Sequence, residues 1–209
     1  MHFEQALKNS IFKTIASCAA ALETPCYVVG GYVRDFILSR HTSQDIDVVA
    51  IGNGIELAES VAKALPNAPK VSIFKTYGTA MLRFKGIDLE FVGARKESYK
   101  KESRNPEICE GTIEDDQKRR DFTINALAIS LNASDYGTLL DPFNGMEDLK
   151  NKRIVTPLNP NLTFSDDPLR MLRAIRFATQ LEFEIDPSAL EAIEKNHRRI
   201  QIISKERIV

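Results

Sequence analysis

An α/β (α+β) fold is predicted by three features of this 209-residue chain. Short runs rich in valine, isoleucine and phenylalanine alternate with amphipathic helical stretches, and glycine-bearing turns separate the runs. Beyond Asp116 the strand signals thin out and helical patterns dominate. With 43% hydrophobic residues, the chain buries the core of one domain or of two small ones.

From Phe3 to Leu22, Leu7, Ile11, Ile15, Ala19 and Leu22 recur at steps of three and four, which predicts one amphipathic packing helix. After Pro25, the run CYVVGG (26–31) reads as a buried strand ending at a glycine pair, and YVRDFILSR (32–40) as a short helix. DIDVVAIG (45–52) is a second strand, followed by the helix IELAESVAKAL (55–65). KVSIFK, GTAMLRFK and GIDLEFVG (70–93) give three more strands, with turns at Tyr77-Gly78 and Lys85-Gly86. Lys96 to Ile113 is polar, holds Pro106 and Gly111, and lacks periodicity, so a long functional loop is expected there. TLLD (138–141) and RIV (153–155) are brief strands in a region otherwise read as helical. A boundary near residue 150 divides the chain into 1–150 and 151–209. SKERIV (204–209) looks like a helix just starting at Ser204 with no stop signal, so the chain is expected to be part of a longer one.

Composition removes several classes of function. Cys18, Cys26 and Cys109 are odd in number and lack CxxC spacing, which argues against a disulfide framework or a zinc cage and suits a reducing cytoplasm. His2, His41 and His197 have no ligand spacing and are expected at the surface. No signal-peptide pattern opens the chain and no apolar run nears the roughly 18 residues of a membrane span, so membrane partners are not expected. A formal charge of −1 and a pI near 6.3 restrict any nucleic-acid contact to a local patch.

Asp45 and Asp47 carry the chemistry. Alternate strand residues share a face about 6.5–7 Å apart, so these two carboxylates project together and repel unless solvent or a cation lies between them. In isolation such a pair reads first as a solvated strand end. Glu90, with Asp88 on its face, sits in another strand-like run and adds a third carboxylate from a neighbouring strand. Hard oxygen ligands of this kind suit Mg²⁺, completed by water and substrate phosphates. Two such ions about 4 Å apart clamp an in-line displacement at phosphorus, which points to nucleotidyl or phosphoryl transfer. Gly30 and Gly31 then let the backbone approach a phosphate at a helix start, and Arg34 supplies charge.

Taken in order, GGYVRD, DID, RRDFTINALA (119–128), DPFNGMEDL (141–149) and DDPLRMLRAIRFA (166–178) resemble the successive motifs of the class II CCA-adding tRNA nucleotidyltransferases and bacterial poly(A) polymerases. These belong to the polymerase-beta-like nucleotidyltransferase superfamily, and the resemblance runs from about Cys26 to Val209. Ser39 and Asp166 depart from a glycine and a glutamate usual there. The resemblance implies a head with a mixed nucleotidyltransferase-type sheet over 1–150, a helical neck over 151–209, and RNA-binding regions outside this chain. It makes Asp45 and Asp47 the metal ligands and Glu90 the third carboxylate, with Asp88 the weaker candidate. Gly31, Arg34 and Arg120 would contact the incoming nucleotide, and Asp121 its ribose.

Pro168 at a first helical position makes Asp167 a natural N-cap. On the helix that follows, Arg170, Arg173 and Arg176 fall about 300°, 240° and 180° from Asp167. Met171, Leu172, Ile175 and Ala178 form the expected core stripe. The arginines read either as a solvated face or as a basic stripe toward substrate. Arg170 beside Asp167 pairs a donor with an acceptor, which matches the amino group and ring nitrogen that cytosine and adenine share and that uracil and guanine reverse. That agrees with the resemblance, whose EDxxR motif is similar to Asp166–Arg170. Arg176 faces away from that edge, toward triphosphate or neck packing.

The expected activity is therefore Mg²⁺-dependent addition of C and A to tRNA 3′ ends from CTP and ATP, with pyrophosphate released. Poly(A) addition and partial CC- or A-addition share every motif, and a nucleotide- or RNA-binding module without turnover is the non-enzymatic alternative.

Overall fold

The computed structural model describes residues 1–40, 44–75, 78–98 and 107–207. In chain order its elements begin with α1 (Ser10–Ala21), β1 (Cys26–Val29), α2 (Gly31–Ile37), β2 (Asp45–Ala50) and α3 (Gly54–Ala64). Then come β3 (Val71–Phe74), β4 (Thr79–Phe84), β5 (Ile87–Gly93), β6 (Arg95–Ser98), β7 (Glu107–Glu110), α4 (Ile113–Lys118), β8 (Ala128–Ser130) and β9 (Leu139–Leu140). The remainder is α5 (Gly145–Lys150), β10 (Arg153–Ile154), α6 (Pro160–Asp166), α7 (Leu169–Leu181), β11 (Glu184–Ile185) and α8 (Pro187–Asn196).

Seven strands form one mixed sheet in the order β3-β4-β5-β2-β1-β8-β9. β2 and β5 run parallel, and the other neighbours are antiparallel. Side-chain alternation gives the sheet two unlike faces. On one, Cys26, Val28, Ile46, Val48, Ala50, Leu82, Leu89, Phe91 and Ile129 are buried with Ile11, Phe12 and Ile15 of α1 and Leu57 and Val61 of α3. On the other, Val29, Val49 and Ala128 join only a small cluster with Ala94, leaving the ends of β2 and β5 open. Helix starts are fixed locally. Asn53 caps α3 through Ile55 and Glu56, Thr112 and Asp115 form a capping box on α4, and Asn159 and Asp186 cap α6 and α8 ahead of prolines.

Several expectations change. The single helix over Phe3–Leu22 is two pieces, a 3₁₀ turn at Glu4–Leu7 and α1, because Asn9 accepts the Ile11 N–H and caps a new helix there. The expected loop over Lys96–Ile113 is instead an antiparallel ribbon of β6 and β7 running on into α4, with 99–106 outside the described residues. β8 was not expected, yet it is wholly buried between β1 and β9. Its run Leu127–Leu131 holds a single polar residue, Ser130, which is itself buried, and so gives no regular alternation to read. TLLD contributes only Leu139–Leu140, and RIV pairs in parallel with β11, a strand too short to be seen from sequence. On α7 the core stripe is Met171, Ala174, Phe177 and Leu181, while Ile175 is 52% exposed, since the helix is rotated toward α2 and Phe122. The chain end expected to start a helix forms a short 3₁₀ turn at Lys205–Arg207, and 208–209 lie outside the described residues. So do Tyr77, of the turn between β3 and β4, and His41, while His2 and His197 are exposed.

Residue 150 is the last of α5. One apolar cluster holds Phe122, Leu127 and Leu149 before it and Ile154, Phe164, Met171 and Phe177 after it. Among the described residues no helix is long and apolar enough to cross a membrane.

Candidate active site

The parallel register of β2 and β5 sets Asp45 against Asp88 and Asp47 against Glu90, so all four carboxylates stand on the thinly covered face. Asp45 is exposed and Asp47 and Glu90 are half-buried. Burial pushes the Asp47 carboxyl above the usual carboxylate range. Arg120 opposes the shift, while Asp45 and Asp116 add to it. Glu90 is raised by burial and then by Asp47. These groups are crowded acids in a partly desolvated place, which is what a cation would relieve. Asp88 instead faces Arg83 across the strand pair at 3.5 Å.

Gly30 joins β1 to α2 at φ +76 and ψ −137, a conformation open to glycine alone. A Cβ there would lie 3.2 Å from Arg120 Nη1 and 3.3 Å from Asp47 Oδ2, so the bare backbone lets arginine and aspartate approach each other. Gly31 is different, because an added Cβ would meet only Arg34 Nη2, at 3.7 Å.

Arg120 is aimed from behind. Asp116, on the last turns of α4, is fully buried and its carboxylate holds Arg119 through Oδ1 and Arg120 through Oδ2, with Arg120 Nη2 at 2.9 Å. Burial opposes ionisation of Asp116, but Arg120 and Arg119 outweigh it and keep this carboxyl below its usual range. Beside it runs a second polar chain. Arg34, 5% exposed, binds Asp35 at 2.8 Å and donates to Asn125 Oδ1 at 2.8 Å. The Asn125 amide donates to Asp121 Oδ1, and Asp121 Oδ2 accepts from Arg173 Nε at 2.6 Å. Asp121 also accepts the Phe122 N–H, which fixes the start of the 3₁₀ turn at Thr123–Asn125.

These residues surround one cleft of about 540 Å³, bounded by Gly30, Gly31, Arg34, Asp45, Asp47, Arg120, Asp121, Asn125, Arg173, Arg176 and Phe177. The structure thus brings together ten of the twelve expected residues, with Glu90 beside Asp47 on the neighbouring strand. Asp167 and Arg170 do not line this cleft. Asp167 Oδ1 accepts the Leu169 N–H in the local capping pattern, and Arg170 Nη2 donates to the Arg119 carbonyl at 2.7 Å. Arg170 lies in a separate recess of about 200 Å³ with Lys96, Lys118, Arg119 and Asp166.

Sequence reading missed Asp116, Asn125 and Phe177. Asp116 could have been found from its i+3 and i+4 spacing to the two arginines on a capped helix. For the other two no local signal exists, because Asn125 lies in a 3₁₀ turn and Phe177 reads as ordinary core.

Among the described residues no three or more His, Cys, Asp or Glu side chains are grouped so as to hold a metal by themselves. Asp45, Asp47 and Glu90 share a face without closing into a cage. That donor set suits a hard cation which takes one or two carboxylates and fills its shell with water and substrate oxygens, and it does not suit an all-protein site.

Residues 26–155 match the poly A polymerase head domain. The chain belongs to that family. The poly A polymerase head covers β1 through β10, and so includes every cleft residue except those on α7. Among curated relatives, an A-adding tRNA nucleotidyltransferase of Aquifex aeolicus is 43% identical over 169 residues, which is 81% of this chain and 20% of the relative. A CCA-adding enzyme of Lactobacillus helveticus is 39% identical over 184 residues, 87% of this chain and 43% of the relative. A solved tRNA nucleotidyltransferase, complexed with a primer tRNA and an incoming ATP analog, superposes with a TM-score of 0.80 at 36% identity. That match covers 93% of this chain and 54% of the solved one. The chain therefore spans about half or less of the length of these proteins.

Proposed function

We propose that this chain carries the catalytic head and the start of the helical neck of a template-independent RNA nucleotidyltransferase. It adds C and A to tRNA 3′ ends from CTP and ATP and releases pyrophosphate. The observation that carries this reading is the register of Asp47 with Glu90, beside Asp45, on an open sheet face that looks across one cleft to Arg34, Arg120, Arg173 and Arg176. The names and bound molecules of the relatives support the substrate class. Residues 1–150 act as head and 151–209 as neck, joined by one core, and the site of action is the cytoplasm.

Asp45 and Asp47, with Glu90 beside them, would hold Mg²⁺, which supplies charge neutralisation at the α-phosphate and lowers the pKa of an attacking hydroxyl. The chain's own groups do the rest. Arg120, fixed by Asp116, lies against the carboxylates and meets the phosphate charge nearest them. Gly30 and Gly31 leave room for the phosphate chain, Arg34, Arg173 and Arg176 neutralise its tail, and Asp121 lies at the ribose. The RNA 3′ hydroxyl, placed in line, attacks the α-phosphorus as the bond to pyrophosphate breaks. Asp167 and Arg170, at the start of α7, are assigned to the base edge: the carboxylate accepts from the exocyclic amino group and the guanidinium donates to the ring nitrogen.

Equilibrium dialysis of the four nucleoside triphosphates, with and without Mg²⁺, tests the pocket. CTP and ATP should bind in preference to UTP and GTP. Equal binding of all four removes the base-edge assignment, and no binding removes the whole reading. Label incorporation on tRNA ending before CCA, compared with an oligoadenylate primer, separates the activities. Arrest after CCA supports the proposal. Long adenylate tails on both primers favour poly(A) addition, and a single A on tRNA already ending in CC, with no C added, favours the A-adding form.

A further inference from the structure

Phe177 gathers more positive charge than a core phenylalanine has reason to. The guanidinium carbons of Arg34, Arg173 and Arg176 lie over its ring at 5.0, 5.1 and 5.0 Å from the centroid. The three come from two helices, and like charges this close repel. Two have carboxylate partners, Asp35 for Arg34 and Asp121 for Arg173. Among the described residues Arg176 has no ion pair, and the terminal amino groups of Arg173 have no hydrogen-bond partner. The ring itself is 6% exposed and is held edge-on by Phe122 at 5.9 Å and 86°, so its position is set by the core and not by the arginines. All four residues line the carboxylate cleft.

Resting on the nucleotide reading above, we propose that Phe177 is a positioning residue: its ring holds three guanidinium groups in one place as a preformed seat for the polyphosphate of the incoming nucleotide. The negative ring face offsets part of the repulsion among the cations before the ligand arrives, and an aliphatic side chain of similar size would fill the core without doing so. Such a seat discriminates by phosphate number. It strengthens the grip on a triphosphate and does nothing for the base or the ribose.

The test compares ATP and AMP binding by equilibrium dialysis in wild type, Phe177→Leu and Phe177→Tyr, with far-UV circular dichroism as the check on folding. Phe177→Leu should lower ATP affinity about tenfold and leave AMP within about twofold, a split that a merely structural role would not produce. Phe177→Tyr keeps the ring and should keep the ATP preference. If Phe177→Leu does not fold, Phe177→Met carries the same expectation. A wild type that prefers ATP and an aliphatic variant that keeps that preference would overturn this proposal alone, as would loss of the preference in Phe177→Tyr. A wild type with no preference for ATP over AMP would overturn the nucleotide reading and this proposal together.

Discussion

β2 presents Ile46, Val48 and Ala50 on one face and Asp45 and Asp47 on the other, and the two faces are held by different physics. Beneath α1 and α3 the apolar face of β2 is closed, Ile46, Val48 and Ala50 are buried, and each methylene removed from water adds to stability. The opposite face gathers carboxylates whose mutual repulsion and partial burial oppose folding, with arginines brought in from α2, from the bend after α4 and from α7 to balance them. One face is the source of the stability that the other spends on chemistry.

Neighbouring residues that point to opposite faces break this comparison most directly. Asp47→Ala should reduce nucleotide transfer by about 10³-fold or more, while leaving the thermal midpoint of metal-free protein unchanged or higher. Leu89→Ala, next to Glu90 but fully buried, should lose about 2–5 kcal/mol of stability in denaturant unfolding. A strong loss of stability in Asp47→Ala would show that the polar face is structural.

Asp116→Asn sharpens the comparison by removing a balancing charge. With Arg119 and Arg120 left without their buried anion, a loss of about 3 kcal/mol is expected. The pH profile of metal-free protein carries the sign. Asp116 has a lowered folded pKa, so its contribution is complete above about pH 4 and disappears as the pH falls through the lowered value. Asp47 and Glu90 have raised folded values, so their effect has the opposite slope, and stability falls as the pH rises from the ordinary carboxylate range through those values. The Asn variant should lose the first dependence and keep the second in weakened form, since Asp116 adds to the shift at Asp47. Denaturant melts between pH 3 and 8 read both.

The two glycines give the smallest and most local contrast. Gly30→Ala forces a side chain into positive φ between Arg120 and Asp47 and should cost about 1–3 kcal/mol. Gly31→Ala meets only ordinary contacts at the start of α2 and should change stability by less than about 1 kcal/mol, in the stabilising direction. Equal effects would mean that the close approach at Gly30 is unimportant.

Much of the sheet was legible because alternation in β2, β4 and β5 is a property of adjacent residues. β8 was not, since a strand buried on both faces lacks the exposed polar positions that mark alternation, and its one polar residue, Ser130, is buried as well. In the site, Asp45, Asp47 and Arg120 announce themselves by residue type and spacing. Asn125 and Phe177 do not, because their importance lies in what comes to touch them from Arg34 and Arg173, elements far apart in the chain. Ile175 shows the same limit, for the apolar stripe of α7 was broad enough to be placed either way until Phe122 and α2 chose its rotation.

By itself the sequence determined which residues share a strand face, where most helices start and which charged groups are available, because these follow from backbone periodicity and capping within a few residues. Only the tertiary structure decided that Glu90 stands opposite Asp47, that Asp116 turns Arg120 toward them, and that Phe177 lies under three arginines. Strand register and helix rotation are settled by contacts between distant segments, and the energy of those contacts exists only once the chain has closed on itself.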